Sequence, residues 1–346
     1  MAHTVKKYFI QQFMQHAYLH GGIGCVDAEK VLLQNNFTPL LFPGHDSYSM
    51  KAKISRVFFL LRSFISLEKN CVVVFIFPLY ARMDKWLIRL LRMRGDVKLI
   101  CLIADINGLK DGEPALLEKE IAFFRHYTRF IVHNEKMKEW LVAKVPGIEA
   151  GVIDFFDFLT HPVTVKRNRS YDINFAGNLE KSGFLKDLAR LERESPNLRF
   201  HLYGPGITPL VSDQSNVSYH GIATPYEMPG RLKGSFGLVW DGERMGGPGG
   251  SLGSYMAYIS HHKLSLYIVS NLPVIVPVWA ASAPLVEKYA IGMVVNSLYE
   301  VEERIGLLSD EEYRQMQENM RPLSGRISKG QCLEEALATI MRQLER

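Results

Sequence analysis

Runs of apolar residues alternate with amphipathic stretches along the first part of the chain. The clearest run is CVVVFIF, Cys71–Phe77, whose apolar, β-branched composition is typical of a strand buried on both faces. We predict strands at 8–13, 38–42, 71–77, 98–103, 130–133 and 151–153, and helices at 26–36, 49–67, 84–94, 114–127 and 135–144. This is the βαβ rhythm of a parallel sheet covered by helices on both faces.

A polar and basic segment, 157–172, interrupts the alternation, which restarts with INFA at Ile173–Ala176. We predict further strands at 200–203, 217–219, 236–240, 274–276 and 292–295, and helices at 184–194, 226–233, 262–269, 284–289 and onward to the C-terminus. In that last part, Ser309 and Glu312 have the spacing of a capping box. The predicted fold class is α/β, with two Rossmann-like doubly wound domains and an interdomain cleft. The predicted division is an N-terminal domain at 1–158, a linker at 159–172, a C-terminal domain at 173–328, and a final helix at 329–346 that can cross back to the first domain.

Composition narrows the range of partners only slightly. The net charge of +5 fits an anionic small molecule, an anionic membrane surface or a nucleic acid, and the lack of an Arg/Lys-rich tail argues against nucleic acid. The four cysteines form no CxxC pair, so we expect neither a disulfide framework nor a zinc site, and a reducing cytoplasm is the simplest compartment. No apolar stretch of about 18 residues predicts a transmembrane helix, and no signal-peptide pattern is seen. A homo-oligomer is compatible with these features.

The first candidate ligand site is the glycine-rich loop HGGIG, residues 20–24. Ligands of doubly wound sheets bind beyond the carboxyl ends of the strands. Gly22 and Gly24 would let a ligand approach the backbone at a helix start, where negative charge is favoured. The pattern is not a complete GxGxxG, and no Walker lysine follows, so a tight turn without a ligand is an equal alternative.

Three loops after strands of the second domain supply further candidates. A lysine in the first strand–helix turn can reach a phosphate, and an asparagine or aspartate can bond a phosphate, ribose or sugar oxygen. The alternatives are a solvated loop, a core-edge tyrosine beside a sharp turn, and a loop cap. The candidate binding residues are Asn178, Lys181, Ser182, Tyr203, Gly204 and Asp241.

A basic cluster opens the predicted helix in HHKLSLYIVSNLPVIV, residues 261–276. A lysine at a helix N-terminus opposes the macrodipole, which is unfavourable unless an anion bridges the two. The free backbone N–H groups of the first turn also favour an anion. We therefore predict a phosphate site here, against the alternative of solvated side chains, with candidate residues Tyr258, His262, Lys263, Leu264 and Ser265.

Two helical segments combine basic and apolar residues: SMKAKISRVFFLLRSFISLEK and DKWLIRLLRMRG. Helices of this composition can lie on an anionic membrane surface. The alternative is a packed helix with a basic outer face.

The segments INFAGNLEKSGFL, LYG, GLVWDG and HHKLSLYIVSNLPVIV, in this order and spacing, resemble a group of bacterial GT-B glycosyltransferases: galactofuranosyltransferases and glucosyltransferases of adhesins. The resemblance covers most of the chain. It implies transfer of galactofuranose or glucose from a UDP-sugar, bound in the interdomain cleft, to a hydroxyl of a cell-surface glycan or glycoprotein. Two alternatives remain: a non-catalytic nucleotide-sugar-binding protein and a UDP-sugar epimerase.

The resemblance also implies roles for particular residues. Asn178 and Lys181 would lie near the diphosphate or sugar, and Lys263 with the N–H groups after it would hold the diphosphate without a metal or other cofactor. An inverting enzyme needs a base for the acceptor hydroxyl, and Asp105 and Asp27 are the candidates. The sequence lacks the acidic EX7E pair of many GT-B enzymes, which leaves the anomeric outcome open.

Overall fold

Two six-stranded sheets, with all strands parallel, form the framework of the chain. The computed structural model describes residues 5–14, 22–41, 49–79 and 82–344, and residues 20–21 of the predicted glycine loop lie outside them. The strands of the first sheet are β1 (Lys7–Gln11), β2 (Thr38–Leu41), β3 (Val72–Phe77), β4 (Lys98–Ile103), β5 (Arg129–Val132) and β6 (Glu149–Val152). Those of the second are β7 (Asp172–Ala176), β8 (Arg199–Tyr203), β9 (Val217–Tyr219), β10 (Phe236–Leu238), β11 (Val274–Pro277) and β12 (Gly292–Val295). Their spatial orders are β2-β1-β3-β4-β5-β6 and β12-β11-β10-β7-β8-β9, so the predicted pair of doubly wound units is confirmed.

Helices cover both faces of each sheet. In the first unit they are α1 (Ile23–Gln34), α2 (Met50–Ser66), α3 (Arg82–Arg94), α4 (Asn107–Lys110), α5 (Pro114–Phe124) and α6 (Glu135–Lys144). The later helices are α7 (Leu188–Glu194), α8 (Pro209–Ser212), α9 (Met228–Arg231), α10 (Gly250–Tyr255), α11 (His262–Val269), α12 (Ala283–Tyr289), α13 (Val301–Leu307), α14 (Asp310–Lys329) and α15 (Gln331–Leu344). None of the helices in the described ranges is both long and apolar enough to cross a membrane.

Strand β3 shows why an uninterrupted apolar run is needed at the centre of the first sheet. Val73 and Phe75 pack into a core with side chains of α2, α3, α5 and α6. Val72 and Val74 point to the other face and pack with α1 and α15. Because successive side chains of a strand alternate between faces, a strand covered on both sides has no solvent-facing position.

The C-terminal helix α15 packs on the first sheet rather than the second, against β5, β6 and α1. Buried Asp157 holds its start, since its carboxylate accepts hydrogen bonds from the backbone N–H groups of Cys332 (3.1 Å) and Leu333 (2.8 Å). The preceding helix α14 begins with the predicted capping box of Ser309 and Glu312, which is confirmed. The chain therefore leaves the second unit and returns to the first.

The short helices that the sequence pattern did not predict include α4 and α10. Helix α4 is held by Glu120, whose carboxylate accepts the N–H groups of Asn107 (3.1 Å) and Gly108 (2.8 Å). Helix α10 lies in the glycine-rich stretch 242–253 and ends at Tyr255, whose hydroxyl accepts the N–H of Ile106 at 2.8 Å. Both helices depend on partners distant in sequence, which local periodicity does not report.

Helix α11 is fixed on the second sheet by Tyr267. The Tyr267 hydroxyl accepts the backbone N–H of Ala176 at 2.9 Å, and its ring lies over Gly237 in β10. A methyl group built on Gly237 would lie 2.1 Å from that ring. The absence of a side chain at Gly237 therefore sets how closely α11 approaches β7 and β10.

We expect Gly237→Ala to lower the free energy of unfolding by about 1–3 kcal/mol or more, because the ring of Tyr267 is buried and has no room to move away. Gly230→Ala is the matched control, since a methyl group there meets nothing within 4 Å. Urea denaturation followed by circular dichroism measures both variants. Equal stability of Gly237→Ala and the unchanged protein would contradict this packing.

Candidate active site

The larger candidate cavity lies at the carboxyl edge of the second sheet and has a volume of about 390 Å³. It sits where β7 and β10 are neighbours and the strand order reverses, which is the usual ligand position in a doubly wound sheet. Ile23 of α1 also lines it, so the cavity lies between the two units. The predicted residues that line it are Asn178, Lys181, Tyr203, Gly204, His262 and Lys263.

One end of this cavity is polar and is lined by His261 and Lys263, which both contact Asp241 in the loop after β10. Asp241 itself does not line the cavity. The Asp241 carboxylate lies 2.8 Å from Nζ of Lys263 and 2.8 Å from Nε2 of His261. The Lys263 amine also donates to the carbonyl oxygen of Trp240 at 3.1 Å. Nε2 of His261 lies within ion-pair distance of the Asp241 carboxylate, but the direction of its N–H bond does not fit a hydrogen bond.

The anion predicted at the start of α11 is therefore in part a side chain of the protein itself. Burial alone would raise the pKa of Asp241, but the charges of Lys263 and His261 outweigh it and hold that pKa well below its usual range. Lys263 still faces the cavity, since a methyl group built on Gly177 would lie 3.9 Å from its Nζ. The lysine is thus oriented by Asp241 while remaining at the cavity wall.

The turn after β7 presents Lys181 to the same cavity. Oδ1 of Asn178 accepts the backbone N–H of Lys181 at 3.3 Å, and the Ser182 hydroxyl donates to the carbonyl oxygen of Asn178 at 3.0 Å. Ser182 is buried and shapes the turn without lining the cavity, whereas the exposed Lys181 does line it. The turn therefore adds a second lysine to the cavity wall.

The other end of the cavity is mostly apolar. Tyr203 stacks on His220 with ring centroids 4.8 Å apart, and its hydroxyl accepts the N–H of Lys233 and donates to the carbonyl of Arg231. Gly204 has a φ of +127°, and a methyl group there would lie 1.9 Å from the carbonyl oxygen of Gly177. The sequence predictions did not include most of this wall, because single apolar residues in loops and short helices resemble ordinary core. These residues are Pro205, Ile222, Ala223, Pro225, Met228 and Leu266.

A smaller cavity of about 150 Å³ adjoins the polar end, and His261 and His262 line both cavities. Asp105, at the carboxyl end of β4 in the first unit, also lines it. Its carboxylate lies 2.9 Å from Nζ of Lys110 and accepts the Tyr255 hydroxyl at 3.3 Å. The carboxylate of Asp105 in the first unit and the two histidines of the second unit thus line the same small cavity.

His133 forms a neutral wall of the smaller cavity. Burial lowers its pKa to about 4. Nε2 lies 3.0 Å from the carbonyl oxygen of Ile103, and Nδ1 lies 3.2 Å from the backbone N–H of Ser260. With Nδ1 accepting, Nε2 carries the proton and donates it to Ile103. His133 therefore links the two units across the cleft without adding charge.

Asp27, the other candidate base, is fully buried with its oxygens occupied. Oδ1 accepts the Tyr226 hydroxyl at 2.5 Å and lies 3.2 Å from Nζ of Lys30, while Oδ2 accepts the N–H of Leu159 at 2.9 Å. It lines neither cavity described above. This geometry gives Asp27 a role in joining α1 to the linker and the second unit.

The remaining predicted residues lie around the cavities. Gly22 precedes α1, and Gly24 lines the smaller cavity, where a methyl group would lie 3.2 Å from the His262 ring. Tyr258 packs on Trp140 in the first unit. The Leu264 N–H donates to the His261 carbonyl, and the buried hydroxyl of Ser265 donates to the Phe156 carbonyl at 2.6 Å. Ser265 therefore anchors α11 through its side chain. In the described ranges, no group of three or more His, Cys, Asp and Glu side chains could hold a metal ion.

Solved structures share this architecture. Sucrose-phosphate synthase from Thermosynechococcus elongatus superposes with a TM-score of 0.68 at 11% identity, covering 99% of both chains. HepE of Anabaena, in complex with UDP and glucose, superposes with a TM-score of 0.60 at 10% identity, covering 97% of this chain and 100% of that one. At these identities the likeness concerns the fold, which is GT-B, the two-domain glycosyltransferase fold.

The chain belongs to the glucosyltransferase 3-like family. The C-terminal domain model of that family matches residues 173–340, and the N-terminal domain model matches residues 7–150. β-1,6-Galactofuranosyltransferase WbbI of Escherichia coli K12 is 26% identical over 292 residues, which is 81% of this chain and 82% of WbbI. Glucosyltransferase 3 of Streptococcus gordonii is 28% identical over 316 residues, 90% of this chain and 91% of that protein. The resemblance seen in the sequence is confirmed, and the chain is a glycosyltransferase.

We expect Asp241→Asn to lower the free energy of unfolding by about 1–3 kcal/mol near neutral pH, because Lys263 loses its buried counter-charge. A carboxylate whose pKa is lowered by folding stabilises the native state above its unfolded pKa, about 3.9, and loses that contribution as the pH falls further. The difference between variant and unchanged protein should therefore be full at pH 5–7 and shrink below pH 4.

Urea denaturation at several pH values measures this difference. Asp187→Asn is the control, since Asp187 is exposed. A difference for Asp241→Asn that stays constant down to the acid limit of the folded state would contradict the ion pair.

Proposed function

We propose that this glycosyltransferase transfers a hexose, galactofuranose or glucose, from a UDP-sugar to a hydroxyl of a cell-surface glycan or glycoprotein. One observation carries the proposal: a cavity lined by apolar side chains and by two lysines adjoins a smaller cavity that is lined by a carboxylate of the opposite unit. A nucleoside diphosphate has the same polarity, with a flat base at one end and charge at the other. The named relatives are a galactofuranosyltransferase and a glucosyltransferase, which supports these two hexoses.

In this proposal the uracil and ribose occupy the apolar end beside Ile222, Ala223 and Tyr203. The diphosphate lies at the polar end, near Lys181 and Lys263. The first-turn N–H groups of α11 add their positive partial charge there. Negative charge develops on UDP as it leaves. The lysines and the N–H groups are positioned before the reaction and would stabilise this charge in the transition state, which is the usual form of electrostatic catalysis.

The hexose and acceptor hydroxyl then meet in the smaller cavity. Asp105 is the preferred base, because it lines that cavity and its side chain is 37% exposed, whereas Asp27 is fully buried and lines neither cavity. In the inverting form of the reaction, the acceptor oxygen attacks the anomeric carbon, its proton passes to Asp105, and the bond to the UDP oxygen breaks. Non-catalytic binding and epimerisation are less well supported, since the named relatives are transferases.

We further propose a cytoplasmic location at the inner face of the membrane. All four cysteines are free thiols, and three of them are buried, which suits a reducing compartment. Homo-oligomerisation stays a prediction.

The test of the function is a screen of UDP-sugars, with UDP release measured with and without acceptor glycans. We expect acceptor-dependent release with UDP-galactofuranose or UDP-glucose. If the protein binds UDP tightly but turns over none of the donors with any acceptor, it is a non-catalytic nucleotide-sugar-binding protein. An altered sugar without an acceptor would indicate an epimerase.

Lys181→Ala should weaken UDP binding about 5- to 150-fold, the range for losing a hydrogen bond to a charged group. Lys186→Ala is the matched control, since this lysine is exposed and does not line the cavity. Isothermal titration calorimetry with UDP measures both. The same affinity in the two variants would show that Lys181 does not contact the diphosphate.

Asp105→Asn should lower kcat about 10²- to 10⁴-fold, the usual contribution of a general base. UDP affinity should stay within twofold, because Asp105 does not line the larger cavity. Initial rates against pH, together with UDP titration, separate the two effects. An unchanged kcat, or a loss of UDP affinity equal to the loss of rate, would count against a base at this position.

A further inference from the structure

A continuous apolar stripe along α2 faces solvent. Its six side chains are each between 51% and 78% exposed, and they recur at the i, i+4, i+7, i+8, i+11 and i+15 spacing of one helix face: Met50, Ile54, Val57, Phe58, Leu61 and Ile65. The helix buries a different face, with Ala52, Leu60 and Ser63, against the first sheet. The stripe, about 100° wide, is therefore additional to the surface that packs the helix into the fold.

Helix α3 lies beside α2 and extends this surface. Its Trp86 is 55% exposed and its Met93 is 79% exposed. The guanidinium of Arg89 lies 5.5 Å from the centre of the Trp86 ring. An aromatic ring with a cation beside it suits the boundary between water and an apolar phase. We call the stripe together with Trp86 and Met93 the α2–α3 surface.

The charge on these two helices is almost entirely positive. They carry nine basic residues and one acidic residue, a formal +8, whereas the whole chain carries +5, so the rest of the chain is at −3. The one acidic residue, Asp84, is fully buried. The exposed Lys51, Lys53 and Arg62 flank the stripe on α2. The molecule therefore concentrates its excess positive charge around its exposed apolar stripe.

We propose that the α2–α3 surface docks on an anionic lipid bilayer, with the stripe in the headgroup region and the flanking cations on lipid phosphates. Apolar burial and attraction to anionic lipids then act together, and each surface lysine or arginine contributes to the second term. A second copy of the chain is a poorer occupant, because a symmetric contact through this face would bring two +8 surfaces together. The proposal is independent of the chemistry in the cleft.

The test is flotation of the full chain with phosphatidylcholine vesicles, with and without 30% phosphatidylglycerol. We expect partitioning to be at least tenfold stronger on the anionic vesicles and to weaken as salt is raised. Two triple variants should each partition at least tenfold more weakly onto the anionic vesicles. Ile54→Ser/Leu61→Ser/Ile65→Ser removes apolar side chains of the stripe. Lys51→Glu/Lys53→Glu/Arg62→Glu reverses the charge beside it.

Matched controls use exposed residues elsewhere. Val165→Ser/Leu210→Ser/Leu307→Ser changes side chains that are 62%, 63% and 75% exposed, and Lys186→Glu/Arg190→Glu/Arg193→Glu changes three cations of the second unit. Both should partition like the unchanged protein, and thermal melting checks that every variant is folded.

Three results would overturn the proposal. The first is that the unchanged protein does not bind anionic vesicles. The second is that both α2 variants bind these vesicles as strongly as the unchanged protein. The third is that the unchanged protein sediments as a dimer and the serine variant of the stripe sediments as a monomer. The last result would identify the stripe as a contact between copies.

Discussion

The contact of Asp241 with Lys263 and His261 is the interaction on which the cleft depends. The side chains of Lys263 and Asp241 are only 13% and 23% exposed, so each charge loses much of its hydration and is stabilised by the other. Their partners come from the loop after β10 and from the start of α11, so the contact fixes α11 relative to the strand ends. It also keeps the lysine at the cavity wall rather than in solvent. The position of the polar end thus follows from the cost of leaving either charge unpaired.

Buried polar groups also hold the two units together. Asp27 joins α1 to Leu159 and Tyr226, Asp157 holds α15 on the first sheet, and Tyr255 reaches the backbone of Ile106. Breaking any of these contacts would leave a buried donor or acceptor without a partner, which costs more than an exposed hydrogen bond is worth. Polar contacts between the units therefore occur at several separate points around the cleft.

The sequence predicted much of this architecture, because period-2 and period-3.6 patterns and capping spacing are local. It also predicted a phosphate at the start of α11, since a lysine at a helix N-terminus favours an anion. It did not identify Asp241, 22 positions earlier, as a counter-charge of that lysine, because this partner depends on which strands are neighbours. For the same reason it missed the apolar wall around Ile222 and Met228, and it left Asp27 and Asp105 as equal candidates. Only the packing of the units shows that Asp27 is fully buried and that Asp105 lines a cavity.

The proposed docking surface and the proposed base belong to the same edge of the first sheet. A helix that follows a strand in a βαβ unit starts at the strand's carboxyl edge, so α2 starts at the edge where Asp105 follows β4. Its 17 residues extend about 25 Å back from that edge. A bilayer against α2 and α3 would therefore lie along the flank of the unit that carries the base, leaving the second unit in water. A soluble donor and a surface-bound acceptor could then enter the cleft from different sides, which explains why one unit would carry lipid affinity and the other nucleotide affinity.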